Sequence, residues 1–375
     1  MIQQSEVVRV SLAQIEITDN LKKDQDDLGE VIIDWIYNKE MSEGILLGID
    51  ESYELIIPGN KDDNEIELIA HLKAPTVYGI LYGLTTFSQL LYYDRILKNY
   101  FFHLHLITID FPKFMHRGLL LDTSRNFYPI KEILKTMNVM NWNKMNDFNG
   151  ILWILLVGQW IVDEYARARG IRVIPEFDML GHIYSIAASM PEILYSAASP
   201  SDQLNQAIPE TYTFLNELVP EIASYFTDKF YHTGGDEVNM NSWNHLLKRV
   251  TEGYSVQVWK NRTMVKQVVE KGYRVVTGSG DYWYLDCNMM DGLVIMLKGK
   301  VGVIRIKHGK RYIRIILYKS YQMKKQNLLL DNYEQKLWPR SSAAAEVLWS
   351  GPEDIGGNRR IPDKDTLKRL NNWRF

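Results

Sequence analysis

Residues 162–178, VDEYARARGIRVIPEFD, decide the fold. A helix-like stretch over 162–169 hands over to a short apolar run, Arg172-Val173-Ile174-Pro175, that ends on Glu176 and Asp178. The same grammar recurs on either side. Gly118-Leu119-Leu120-Leu121-Asp122 precedes a helical pattern over 130–140. A helical pattern over 212–226 leads into Lys229-Phe230-Tyr231-His232-Thr233-Gly234-Gly235-Asp236-Glu237. Apolar runs at 254–259 and 273–277 flank another helical stretch, 264–271. Repeated strand–helix units imply parallel strands joined by crossover helices, an α/β fold. In a (β/α)8 barrel the functional groups sit where strands end. Asp122, Asp178, Asp236, Glu237 and Trp259 all lie at or just past such ends.

Before about residue 111 the pattern differs. Residues 7–17 alternate apolar and polar, as a strand does, and so do 65–72. Short apolar runs at 44–49 and 53–57 are split by Asp50-Glu51-Ser52, and 58–64 is a polar turn cluster. Residues 76–94 place Val77, Ile80, Leu81, Leu84, Phe87, Leu90 and Leu91 at spacings of three and four, which predicts an amphipathic helix. The expected organisation is a small α+β domain over 1–111 and a barrel domain over 112–375.

The 375 residues are 46% hydrophobic and 24% charged, ordinary globular usage that excludes wholesale disorder. Lys and Arg total 43 against 46 Asp and Glu, and a net charge of −3 gives no general electrostatic reason to bind nucleic acid. One cysteine, Cys287, excludes an intrachain disulfide and an all-cysteine metal site. The first residues lack a basic start followed by an apolar core, so no signal peptide is expected. No apolar run approaches the roughly 20 residues of a membrane span. Residues 297–325, LKGKVGVIRIKHGKRYIRIILYKSYQMKK, are basic and β-branched. A solvated edge hairpin accounts for them better than a nucleic-acid patch, since no nucleic-acid motif accompanies them.

His232-Thr233-Gly234-Gly235-Asp236-Glu237 is the sharpest chemical feature. Paired glycines let the backbone turn without side-chain clashes, and two adjacent carboxylates follow. Mutual repulsion can raise one pKa and keep that group protonated as an acid. Equally, Asp236 can cap a helix starting near Met240, with Glu237 in its first turn. Ordinary glycosidases hold their two carboxyls about 5–9 Å apart across the scissile bond, an arrangement awkward for sequence neighbours. Neighbours suit a scheme in which one is the acid and the other steers a nucleophile belonging to the substrate. Arg117 can anchor hydroxyls or be merely solvated. His182, after Asp178 and Gly181, is structural or catalytic. Asp281-Tyr282-Trp283-Tyr284-Leu285-Asp286 can stack on a sugar face or pack a core. P-loop, dinucleotide, HExxH and GxSxG motifs are absent, and His103 and His105 alone make no metal site.

Together these strings resemble glycoside hydrolase family 20, the β-N-acetylhexosaminidases. HRGLLLDTSRNF (116–127), ARARGIRVIPEFD with the following Gly181-His182, HTGGDEV (232–238), VQVWK (256–260), DYWYLD (281–286) and LWPRSSAAAEVLWSG (337–351) occur in the family's order. GIDESYELII (48–57) and APTVYGILYGLTTFSQLL (74–91) are similar to its small N-terminal domain. The resemblance implies a TIM-type barrel and removal of terminal, non-reducing N-acetyl-β-hexosamine residues by substrate-assisted, retaining hydrolysis. It implies Glu237 as general acid/base and Asp236 as the group that holds the acetamido N–H. Tyr284 would orient the acetamido oxygen, Arg117 and Asp286 would bind hydroxyls, and Trp259 would wall the acetamido pocket. His182 and Asp178 would support the acid. The implied partner is a glycan or glycoconjugate; no metal, organic cofactor or nucleic acid is implied. Family members are commonly secreted or lysosomal. The resemblance sets no oligomeric state.

The family's second strand continues as His-Trp-His with a nearby aspartate; here Asp147-Phe148-Asn149 runs into GILWILLVGQW and a helix expected from 162. Trp-containing strands expected near 244–254 and 290–330 are also missing, and Leu180 replaces a usual proline. The expected barrel is therefore incomplete, degenerate near 150–160 and 290–330, and the alternative function is a catalytically inactive relative, a carbohydrate-binding remnant or the product of a disrupted gene. One hypothesis covers the first gap: codons TGG CAT CTT GTG GAT ACT encode the family-like Trp-His-Leu-Val-Asp-Thr, and one base later they read as residues 150–155. Transcript sequencing over 148–160 that yields no recoverable second frame would sink it.

Overall fold

The computed structural model describes residues 9–17, 45–57, 67–94, 99–102, 106–124, 127–151, 155–179, 181–183, 186, 189–195, 203–235, 255–279, 312–317, 337–338 and 340–351. The chain divides into two compact units, residues 1–115 and 116–375. No helix among the described residues is long and apolar enough to cross a membrane.

In the first unit, β1 (Arg9–Ile17), β3 (Glu67–Ala74), β2 (Tyr53–Ile57) and β6 (Leu106–Asp110) form a sheet in that order. The β1–β3 pair is parallel and the other two pairs are antiparallel. A separate antiparallel pair joins β4 (Leu91–Asp94) and β5 (Asn99–Phe102). In β2, Tyr53, Leu55 and Ile57 are buried while Glu54 and Ile56 are half-buried, the period-2 pattern of a strand with one apolar face. The helix expected over 76–94 is α1 (Val77–Gln89); its last residues are instead strand β4. Thr76 caps α1, accepting from the Gly79 amide at 3.2 Å while its own hydroxyl donates to Asp50 O at 2.6 Å. A β-carbon at Gly79 would overlap Ser52 O, so this helix presses on the backbone that enters β2 as only glycine allows. The Tyr53 hydroxyl donates to Asp110 Oδ2 at 2.7 Å and lies 2.6 Å from Thr86 Oγ1. Burial, reinforced by the Asp110 charge, pushes its pKa up and keeps it a neutral donor.

The second unit holds one parallel sheet. Its strands are β7 (His116–Leu121), β8 (Asp147–Ile151), β9 (Arg172–Glu176), β10 (Ser255–Val258), β11 (Arg274–Thr277) and β12 (Tyr312–Leu317), in the spatial order β10-β11-β12-β7-β8-β9. Between them run α2 (Ile130–Trp142), α3 (Leu155–Arg167), α4 (Pro209–Ser224) and α5 (Arg262–Glu270), and α6 (Arg340–Ser350) follows. Every residue of β7 and β9 is buried, as expected of strands covered on both faces. Among the described residues the sheet is open, with β9 and β10 at its edges.

Two expectations are corrected. The altered text after Asp147 still makes a strand: β8 pairs with β9 over 147–151 and with β7 over 147–150, and α3 starts at Leu155, seven residues earlier than expected. The basic segment is not an edge hairpin where it is described. Residues 312–317 pair with 116–121 on one side and with Val276 and Thr277 on the other, an interior strand. The run Tyr312-Ile313-Arg314-Ile315-Ile316-Leu317 is nearly continuous in β-branched and apolar residues, the composition of a strand bonded on both sides. The remainder of 290–330, like His103 and His105, lies outside the described residues.

At the strand starts sits a buried charge cluster. Arg172 forks onto Asp228, with Nε to Oδ2 at 2.6 Å and Nη2 to Oδ1 at 3.0 Å, and its Nη1 lies 3.7 Å from Asp147 Oδ2. His116 Nδ1 lies 3.4 Å from the same oxygen. Burial pushes the Asp228 pKa up, opposed by Arg172. Removing the arginine leaves two carboxylates buried without their cation. Arg172→Met is therefore expected to destabilise this unit by about 3–5 kcal/mol in urea unfolding. Nearby, Asp163 accepts from Thr227 at 3.1 Å and pairs with Arg167 Nε at 3.1 Å. Burial raises its pKa above 3.8 despite both partners. In the window between 3.8 and the raised value the folded state holds more protons than the unfolded chain, so stability falls as pH rises through it. Asp163→Asn is expected to remove that slope from a series of unfolding midpoints across the acid range.

Candidate functional site

The end of β9 receives the glycine-rich segment as a short parallel extension of the sheet. His232 N donates to Pro175 O at 3.0 Å, Phe177 N donates to His232 O at 3.0 Å, and Met179 N donates to Thr233 O at 3.1 Å. Glu176 and His232 form the parallel bridge. Gly234 and Gly235 then adopt φ of 61° and 96°, the left-handed region that costs a side chain about 1–2 kcal/mol. Asp178, half-buried, accepts the Gly235 amide at 3.0 Å through Oδ1. The turn is pressed so close that a β-carbon on Gly234 would overlap Asp178 Cγ and Oδ1.

The His232 ring is held on both sides. Nε2 is 3.1 Å from Gln257 Oε1 on β10. Nδ1 is 3.2 Å from Glu176 Oε1 and 3.2 Å from the Gly234 amide nitrogen. It donates to the carboxylate when it carries a proton and accepts from the amide when it does not. The Tyr231 hydroxyl is buried without a hydrogen-bond partner among the described residues, and burial with the Glu176 charge pushes its pKa up.

Of the residues singled out in the sequence, Asp178 is brought against the HTGG turn. His182 is exposed in the loop after β9 with φ of 56°, a strained geometry for a non-glycine residue. Trp259 is half-buried just past β10, with Lys260 Nζ 5.4 Å from its ring centroid. Arg117 is fully buried near the start of β7. Its Nε donates to Lys144 O at 2.7 Å, and its Cζ lies 5.0 Å from the Trp349 ring centroid. Asp236, Glu237, Tyr284 and Asp286 lie outside the described residues, although Asp236 directly follows Gly235. Glu176 and Gln257 are not singled out by sequence reasoning. The available signal is a carboxylate ending the apolar run Arg172-Val173-Ile174-Pro175 and an amide between Val256 and Val258.

The turn yields a direct comparison of two glycines. Gly234→Ala meets both the left-handed φ and Asp178, whereas Gly272, with φ of 84°, has nothing within 4 Å of the place a methyl group would take. Gly272→Ala is expected to cost about 1 kcal/mol. Gly234→Ala should lose that plus a further 1–3 kcal/mol or so for overpacking, read as the difference in urea midpoints.

Comparison with known proteins joins these observations to a family. The model of the glycosyl hydrolase family 20 catalytic domain matches residues 114–151 and 159–250, and a "beta-acetyl hexosaminidase like" model matches 1–90. The β-hexosaminidase subunit β of Felis catus is 30% identical over 391 residues, covering 82% of this chain and 70% of the relative. Two solved structures share the fold. A Flavobacterium johnsoniae chitobiase has a TM-score of 0.64 at 23% identity, and this chain, 87% covered, spans 59% of its length. A Vibrio harveyi exo-β-N-acetylglucosaminidase has a TM-score of 0.69 at 17% identity, covering 96% of this chain and 73% of its own. These neighbours imply a TIM-barrel catalytic domain, in keeping with the parallel sheet described above. With its catalytic-domain match, its hexosaminidase relatives and the HTGG turn seated on β9, this chain belongs to glycoside hydrolase family 20, the β-N-acetylhexosaminidases.

Proposed function

We propose that this chain removes terminal, non-reducing N-acetyl-β-hexosamine residues from glycans or glycoconjugates by substrate-assisted, retaining hydrolysis. The observation that supports this reading is the docking of 232–235 onto β9, which sends the backbone straight into the adjacent pair Asp236 and Glu237. In the proposed roles, Glu237 protonates the leaving oxygen. Asp236 holds the acetamido N–H while the acetamido oxygen, oriented by Tyr284, attacks the anomeric carbon and the glycosidic bond breaks. Glu237, now a carboxylate, then takes a proton from the water that opens the cyclic intermediate. Asp178 and His182 support the acid, Asp286 binds hydroxyls, and Trp259 walls the acetamido pocket. The expected role of Arg117 as a hydroxyl anchor is not kept, because it is fully buried at the start of β7 with its Nε on Lys144 O, at the opposite end of the strands from the turn. The Vibrio harveyi neighbour was solved in complex with N-acetylglucosamine, which agrees with the proposed sugar class.

A second reading is a catalytically inactive relative that binds the sugar without cleaving it. It is favoured by the family match, which skips 152–158 and stops at 250. The two separate on release of 4-nitrophenol from its N-acetyl-β-glucosaminide. Glu237→Gln is expected to lower kcat by about 10²–10⁴-fold, the usual worth of a positioned acid/base. A folded, unmodified chain with no turnover, whose melting temperature still rises with an N-acetylglucosamine-derived thiazoline, would favour the binding reading.

A further inference from the structure

We propose that His232 is a positioning residue, the clasp that joins the two edge strands of the parallel sheet and fixes the direction in which the chain leaves Gly234 toward Asp236 and Glu237. This deepens the hydrolase reading and rests on it. Three contacts meet in one side chain and its backbone. The main chain of His232 is bonded to β9 through Pro175 O and Phe177 N. Its ring crosses to β10 through Nε2 and Gln257 Oε1, 3.1 Å apart. The other ring nitrogen lies 3.2 Å from the Gly234 amide and 3.2 Å from Glu176 Oε1.

The geometry explains why an imidazole stands here. Its two nitrogens point to opposite sides of a flat ring, so one residue reaches a strand on the far side and its own turn on the near side at once. Nδ1 holds the Gly234 amide just where the backbone enters the left-handed region and where Asp178 leaves no spare volume. Glu176 is 9% exposed at its side chain, so its carboxylate is a fixed wall beside the ring. Loss of the ring frees Gly234 and Gly235, the two residues that immediately precede the proposed pair Asp236 and Glu237, while the proposed sugar-binding positions outside this turn stay as they were. The expected signature is thus a loss of turnover with little loss of substrate affinity.

The test compares His232→Ala, Gln257→Leu and Gln257→Glu with the unmodified chain, Glu237→Gln serving as the inactive control. A misplacement of this kind is expected to lower kcat in His232→Ala by about 10²-fold, with KM within about threefold. Gln257→Leu should move the same way, and Gln257→Glu, which keeps an oxygen facing Nε2, should restore turnover. Amide hydrogen exchange should quicken in peptides covering 232–237 and stay unchanged over β7 and β8. A His232→Ala variant with kcat within threefold of the unmodified chain overturns the proposal, and so does one whose exchange rises across the whole second unit. Should the unmodified chain itself show no turnover, the hydrolase reading fails on its own. Exchange then decides the clasp: local quickening upholds it and an unchanged 232–237 segment overturns it.

Discussion

At the end of β9 a peptide backbone lies where no side chain would fit. Gly234 rests against the Asp178 carboxyl, Gly235 donates its amide to that same carboxyl at 3.0 Å, and both glycines occupy left-handed backbone. The turn can only be built once β9 is in place, because three of its hydrogen bonds go to the 175–179 main chain. Those bonds need the strand to be flanked and buried, which β8 and the surrounding helices supply. A displaced β9 would therefore displace the turn, and with it the chain leading to the two adjacent carboxylates.

The two ends of the sheet are built from different physics. At the strand starts, full-strength charges are buried in pairs: Arg172 on Asp228, with Asp147 and His116 beside them. Such pairs gain little net stability but are costly to break, so they hold registers in place. At the strand ends, Asp178, His232 and Gln257 are half-buried and engaged with backbone amides or with each other, and one buried carboxylate, Glu176, stands beside the His232 ring. That division matches the barrel architecture, in which chemistry gathers at the strand ends and the opposite face serves stability.

The strand–helix alternation was readable because each buried parallel strand is a short apolar run, and Gly118–Leu121 and Arg172–Glu176 appear in the sheet where the text places them. The tight turn was readable too, since adjacent glycines before two carboxylates have few other uses. What was not readable depended on partners distant in sequence. Gln257 looks like one polar residue among valines until His232 arrives beside it from the preceding part of the sheet. Residues 312–317 looked like a solvated hairpin because positive charge dominates their neighbourhood; the deciding factor, two apolar neighbours to pair with, is visible only in three dimensions. Residues 147–151 lacked the family's wording and still formed a strand, because backbone pairing with two flanking strands asks for an extended main chain and not for a particular text; Phe148 is buried there, and so are the polar Asp147 and Asn149.

The interior position of 312–317 has a consequence for biosynthesis. Tyr312 pairs with His116 and Leu317 with Leu121, so the first strand of the sheet waits for a partner that lies almost two hundred residues later in the chain. At about 5–20 residues per second on the ribosome, that interval is on the order of 10–40 s. Throughout it one edge of β7, wholly apolar in Leu119, Leu120 and Leu121, has β8 on one side and an unpaired ladder on the other. Long-range parallel pairing is slow even after release, and an open apolar edge is a template for another chain. Nascent copies of this protein thus carry an open edge on β7 until the basic segment emerges to pair with it.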